Sequence, residues 1–241
     1  SSSQTESILK EVLNKYQSDV PAYSLLVQRL ATMTANGGDQ NAIKKLLQKS
    51  ISNGSGKQNQ SQGAILEGLA IGMESLKSKS PESINAFKED QDLLINTFFS
   101  HPSDEVRKGS LDMLRVIGLT SSPETKTAID KSLLIMADRS LTDKKRTEAI
   151  NFLALTEPAP YSTLLKNLIV PQEQPVVQLA ALKTLSKIPG TAVSDYVLQK
   201  WAVLTPEIRD AAIGTFLGND ERINLLLSAI EKNQVKASSV S

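Results

Sequence analysis

The chain of 241 residues contains no cysteine. Disulfides, thiolate zinc sites, cysteine nucleophiles and haem attachment through Cys-x-x-Cys-His are therefore excluded within it. There is one histidine, His101, and one tryptophan, Trp201. A lone histidine without cysteine cannot build a usual zinc site. With no Gly-x-Ser-x-Gly elbow either, it leaves little room for a serine triad. Aromatic residues make up only 4% of the chain. The core must then be built from Leu, Ile, Val and Ala, which favours helices over a β-sandwich. No apolar run approaches the roughly 18 residues that a membrane span needs. Charge of one sign is also lacking: 27 Lys and Arg against 26 Asp and Glu give a net charge of +1. Nothing general draws the chain to nucleic acid or anionic lipid. The opening SSSQTESILK has no initiator Met, no basic n-region and no apolar h-region, so it reads as a mature or excised fragment. The absence of cysteine fits a periplasmic or secreted protein, with a cytoplasmic one as the alternative.

What is present is helical periodicity. Ile8, Leu9, Val12, Leu13 and Tyr16 share one face, as do Ile43, Leu46, Leu47 and Ile51, and Ile223, Leu226, Leu227 and Ile230. Sustained two-residue alternation is missing, so no strands are expected. Ser80-Pro81-Glu82, Ser122-Pro123-Glu124 and Thr205-Pro206-Glu207 each predict a helix start: a hydroxyl N-cap, Pro at the first position, then an acid near the positive end of the dipole. Gly37-Gly38, Gly118, Gly190 and Gly218 mark helix ends. The pattern predicts helices over 3–16, 20–36, 39–52, 62–78, 81–99, 103–118, 122–138, 143–155, 160–169, 173–188, 191–203, 205–217 and 219–232. Most connections are short, which forces antiparallel neighbours. The exception is SNGSGKQNQSQG over 52–63, read as a flexible polar loop. Its Gly-Ser-Gly-Lys lacks the upstream Gly and the following Ser or Thr of a phosphate loop. Asn53-Gly54-Ser55 and Asn59-Gln60-Ser61 are formal glycosylation sequons.

Four segments repeat one another: SDEVRKGSLDMLRVIG from Ser103, TDKKRTEAINFLALTE from Thr142, QEQPVVQLAALKTLSKIP from Gln172 and LTPEIRDAAIGTFLGN from Leu204. Each has a polar start, a polar anchor (Arg107, Arg146, Gln178, Arg209), a small residue (Gly109, Ala149, Ala181, Ala212) and a large one (Leu114, Leu153, Leu185, Phe216). Small residues let helices approach, large ones fill the layer between pairs, and no pair can bury its apolar face alone. On these residues the chain resembles the HEAT-repeat family, whose second helix commonly carries Val-Arg-x-x-Ala-x-x-x-Leu. Val106-Arg107 and Ile208-Arg209-Asp210-Ala211-Ala212 match best, Lys145-Arg146 matches in part, and Val177-Gln178 replaces the arginine. The resemblance covers roughly 81–232. It implies an all-α fold, a right-handed α-α superhelix built as a HEAT- or ARM-like solenoid of antiparallel helix pairs. A single domain over 1–241 is expected, with divergent pairs over 1–80 and a disordered tail over 233–241. AILEGLAIGM from Ala64 and ERINLLLSAIEKNQV from Glu221 are also similar to the HEAT region of large secreted bacterial proteins of the planctomycete membrane-bound dehydrogenase group. There a β-propeller domain precedes the HEAT region and a c-type cytochrome follows it. Their haem and catalytic motifs are not in this chain.

The resemblance implies a non-catalytic scaffold whose partners are proteins or neighbouring domains of the same polypeptide, with no cofactor, no metal and no nucleic acid. Arg107, Arg146, Gln178 and Arg209 are its candidate interaction or repeat-stacking residues. The arginines either line a groove for an acidic partner or pair with acids of a neighbouring repeat; Asp104, Asp143 and Glu207 stand close in sequence. Trp201 is either a partner anchor or a packing residue late in a first helix. His101 is expected in a turn. Glu89, Asp90 and Asp92 lack the Gly and terminal Glu of a calcium loop and are expected on a solvated face. The alternative function is a HEAT-like enzyme of the alkylpurine DNA glycosylase type. That enzyme would need a basic groove with aromatic and acidic residues reaching the lesion.

Overall fold

The computed structural model describes residues 2–52 and 57–237. Among them no strand occurs, and the chain is all-α. Thirteen α-helices follow one another: α1 (Ser2–Asn14), α2 (Pro21–Asn36), α3 (Gln40–Ser50), α4 (Lys57–Lys79), α5 (Gln91–Ser100), α6 (Asp104–Ile117), α7 (Pro123–Ala137), α8 (Asp143–Leu153), α9 (Ser162–Lys166), α10 (Pro175–Leu185), α11 (Ala192–Lys200), α12 (Pro206–Phe216) and α13 (Asp220–Glu231). Three 3-10 segments, Pro81–Asp90, Ala159–Tyr161 and Trp201–Val203, interrupt them. The chain divides into two compact units, Ser1–Ala128 and Ile129–Ser241, with the boundary inside α7.

Three sequence expectations change. The polar segment over 52–63 is helical from Lys57 onward. Residues 53–56, with the first sequon and most of Gly-Ser-Gly-Lys, lie outside the described residues. The helix extends into polar sequence because Gln62 is buried and donates from Nε2 to the carbonyls of Lys49, at 3.2 Å, and Ser52, at 2.8 Å. The span 81–99 is not one helix: a 3-10 segment leads into α5. There the Ser80 hydroxyl does not cap a backbone N–H; it donates to the Glu82 carboxylate and accepts from Ser83 Oγ. The tail is also not wholly free, since Val235 is buried and Gln234 donates to the Leu198 carbonyl at 3.0 Å. Residues 238–241 lie outside the described residues.

The other helix starts follow the sequence grammar. Thr205, Ser103 and Thr142 accept from the N–H of Ile208, Val106 and Lys145 at 3.4 Å, and Ser122 accepts from Thr125 at 3.1 Å.

In the first unit α4 lies between α2 and α6, with α3 and the first 3-10 segment also against it. Burial nearly all round leaves Ile71, Glu74 and Ser78 as its exposed stripe. The α2–α4 seam is a backbone contact. A Cβ on Gly68 would stand 2.2 Å from the Gln28 carbonyl oxygen, and one on Gly72 would stand 2.5 Å from Ala35 Cβ. Thr32 Oγ1 donates across the seam to the Gly68 carbonyl at 3.0 Å. Gly109 of α6 makes the equivalent approach to Leu66 of α4, at 2.5 Å from a built Cβ to the Leu66 Cβ. In the second unit α10 packs between α8 and α12. Ala149, Ala181 and Ala212 are buried at the contacts, and Leu153, Leu185 and Phe216 are fully enclosed in one apolar cluster.

Gly68→Ala should destabilise the protein by about 1–3 kcal/mol, because overpacking at a backbone contact outweighs the gain in helix propensity. Gly214→Ala, where a Cβ meets nothing within 4 Å, should stabilise α12 by roughly 0.5–1 kcal/mol. Urea unfolding of the two variants checks the opposite signs.

Candidate functional site

The four anchors have one job in common. A helix leaves its last carbonyls without intrahelical donors, and burying them unpaired is costly. Each anchor sits in the first turns of a second helix and donates to a carbonyl of the segment before it. Arg107 donates from Nη1 to His101 O at 3.1 Å and Pro102 O at 3.2 Å, at the end of α5. Arg146 donates from Nε to Met136 O at 3.0 Å, at the end of α7. Gln178 donates to Glu173 O at 2.8 Å, in the turn before α10. Arg209 reaches Trp201 O at 2.9 Å and Ala202 O at 3.0 Å, just beyond α11. A cation at a helix C-terminus also meets the negative end of the dipole, a contribution of about 0.3–1 kcal/mol.

Sequence reasoning missed further members of this set. Gln62 closes the end of α3 in the same way, hidden because its segment reads as low-complexity loop. Arg222 of α13 is buried and donates to the carbonyls of Gly190 at 2.9 Å, Ser186 at 3.0 Å, Thr215 at 3.4 Å, and Ile188. Lys77 donates to Val116 O at 2.7 Å, near the end of α6, and Lys187 to Ala154 O at 2.5 Å, at the end of α8. Most of the partners of Arg222, Lys77 and Lys187 are more than thirty residues away, so no local motif announces them.

Arg146 carries a second interaction. Its Nη1 and Nη2 form a fork on Glu173 Oε1 and Oε2 at 2.8 and 2.7 Å, and both residues are buried. Glu173 Oε1 also accepts the Gln174 N–H at 3.0 Å, and Arg139 stands 3.8 Å away. The hydrogen bond from Arg146 holds the Glu173 carboxyl below its ordinary value against the opposing effect of burial. The same bond raises the Arg146 pKa. Of the other local acids, Asp104 pairs with Arg107, and Asp143 lies 4.0 Å from Arg146.

Trp201 is buried in the apolar cluster of the second unit, with the Arg209 guanidinium 5.9 Å from its ring centroid. His101 occupies the α5–α6 turn, buried, with Nδ1 accepting the Ser103 N–H at 3.1 Å. The acidic segment is not a uniformly solvated face. Asp90 is buried, and burial pushes its carboxyl up, opposed by nearby Lys44. Glu89 is exposed and pairs with Lys44. With three residues per turn, the 3-10 segment sets Asp90 in line with the buried Ile84 and Phe87. Burial likewise raises the Tyr196 phenol, whose hydroxyl donates to Lys166 O at 2.9 Å.

Among the described residues no group of three or more His, Asp or Glu is placed to hold a metal ion, and no helix is long and apolar enough to cross a membrane. Arg107 belongs to the first unit and Arg146, Gln178 and Arg209 to the second, each in the first turns of its own helix. Comparison with known proteins finds no matching family model, no matching curated protein and no matching solved structure.

Arg146→Met should cost about 3–5 kcal/mol, since it leaves a buried carboxylate without its fork. The pH dependence should also change sign. The native Glu173, with a lowered pKa, contributes stability that is present above the ordinary value of 4.5 and lost as pH falls through the lowered one. Without Arg146, burial raises that carboxyl above its ordinary value, and the variant should gain stability as pH falls from the raised value towards 4.5, a window above the one in which the native protein loses its own. Thermal unfolding between pH 3 and pH 6, roughly one unit or more either side of that value, compares the two.

Proposed function

We propose that this chain is a non-catalytic helical-repeat scaffold of the HEAT type, presenting a surface to a protein partner or to neighbouring domains of its own polypeptide. The observation that supports it is the recurrence of one structural device, a polar anchor at the start of a second helix closing the end of its first. Residues repeated for chemistry would converge on a ligand; these recur at intervals and spend their donors on backbone carbonyls. A stack of pairs held in this way keeps its inner polar groups occupied and leaves the outer helix faces to vary. The setting proposed for it is a larger extracytoplasmic bacterial protein in which redox domains, a β-propeller and a c-type cytochrome, flank the repeats. Any redox activity would belong to those domains. A glycosylase-like role finds less support, because Arg107, Arg146 and Arg209 hold carbonyls and do not form an open cationic groove.

As a superhelical stack the protein should scatter X-rays as an arched particle. Its radius of gyration should exceed the roughly 18 Å of a compact chain of this length. Titration calorimetry against the domains encoded on either side of the repeats should give saturable binding, while double-stranded DNA at low salt should give none. A compact particle that binds DNA and loses it on adding salt would replace this reading with the enzymatic one.

A further inference from the structure

The first unit contains a cleft that neither helix stacking nor the anchors explain. α1 packs on α2 and leaves an opening on its α3 side of about 200 Å³. Leu9 and Leu13 of α1 and Leu46 of α3 line it, so its wall is mostly carbon. At helical spacing, Leu9 and Leu13 stand one turn apart on the same face. A second cleft of about 350 Å³ adjoins the first at Leu13 and Lys49 and is more polar, with Asn14 and Gln58 in its lining. The charged residues around the first cleft are Glu6, Lys10, Lys45 and Lys49, three cations against one acid. That acid is already occupied, since Glu6 pairs with Lys45.

We infer that this trough is a binding site for a free single-chain anionic amphiphile, a medium-chain carboxylate. The apolar cleft takes the hydrocarbon tail. The carboxylate lies where the two clefts meet, against the Lys49 ammonium, with the Asn14 and Gln58 amides in the polar neighbour as further donors and Lys10 adding charge at the rim. Two observations carry this. One is the division of a continuous trough into a carbon-lined part and a polar part. The other is the surplus of lysine around the apolar cleft, with Lys49 at the junction, in a protein whose overall charge is nearly balanced. A cavity of about 150 Å³ lined by aliphatic side chains holds a benzene-sized molecule. The tail cleft therefore fits a chain of about six to eight carbons, and longer chains would continue out past the rim. An amphiphile here would tie α1 to α3, which the Glu6–Lys45 pair also bridges. The inference does not depend on the scaffold reading, and each can fail without the other.

Octanoate titrated into the intact protein, followed by calorimetry, tests it. Saturation at one site per chain is expected, with octyltrimethylammonium and octanol binding far more weakly. Lys10→Glu combined with Lys49→Glu, both exposed and distant from the core, should weaken octanoate at least about fivefold. Ala42→Leu, which fills the tail cleft, should weaken octanoate and octanol alike. Circular dichroism shows whether either variant keeps its helical content. Absence of saturable octanoate binding, equal binding of the cationic amphiphile, or an unchanged affinity in the charge-reversed variant would each overturn the assignment. So would binding only to anionic phosphatidylserine vesicles and not to free octanoate, which would mean a membrane surface.

Discussion

The structure depends on what happens to the last carbonyls of each first helix. A short helix that turns back sharply buries its own C-terminal end against its partner, where water cannot serve the open oxygens. Here the following helix supplies the donor from its first turns. Gln62, Arg107, Arg146 and Arg209 do this at or just beyond a helix end, and Gln178 serves a carbonyl in the turn before its own helix. A charged hydrogen bond of this kind contributes about 1.5–3 kcal/mol, and leaving its acceptor empty costs a similar amount. One contact of this kind links each turn to the helix that follows it. A glutamine serves wherever reach suffices, and arginine adds a favourable charge at the dipole's negative end.

Between pairs, the two units solve layer spacing differently. In the first, glycines on α4 and α6 bring helices to backbone contact, and α4 is enclosed on most of its circumference. In the second, the small residues at the contacts are alanines, and Leu153, Leu185 and Phe216 are enclosed in the same apolar cluster. Glycine seams need little side-chain volume, which suits a chain so poor in aromatic residues. They also restrict substitution, since a new Cβ would meet the Gln28 carbonyl oxygen at Gly68 and the Cβ atoms of Ala35 and Leu66 at Gly72 and Gly109.

How much of this could be read from the sequence varied with the range of the interaction. Helix starts such as Ser103, Thr142 and Thr205 were legible because a cap, its N–H and the following acid lie within four residues. The four-fold anchor pattern was legible as a pattern, and the carbonyls it serves were not, because an oxygen leaves no mark in a one-letter code. Arg222 was hidden for the same reason: its acceptors at Ser186, Ile188 and Gly190 belong to a turn distant in sequence. The start of α4 looked like a linker because helix propensity and composition are weak evidence beside a buried Gln62 hydrogen bond. Asp90 looked solvated because it stands among Glu89 and Asp92 in an acidic run, and composition outweighed its spacing of three from the buried Phe87. The cleft beside α1 had no local signal, since its walls come from three helices.

The fork between Arg146 and Glu173 also constrains how this protein can change over generations. Losing either partner first strands a buried charge, so both single-step paths out of the pair cross a state less fit to fold. Replacement by an apolar pair would serve equally well once complete, but drift reaches it only through that loss or through a simultaneous double change. Descendants of this chain should therefore keep the two residues together or lose them together. The pair is in that sense a historical record of the fold, retained less for what it adds than for the difficulty of leaving it.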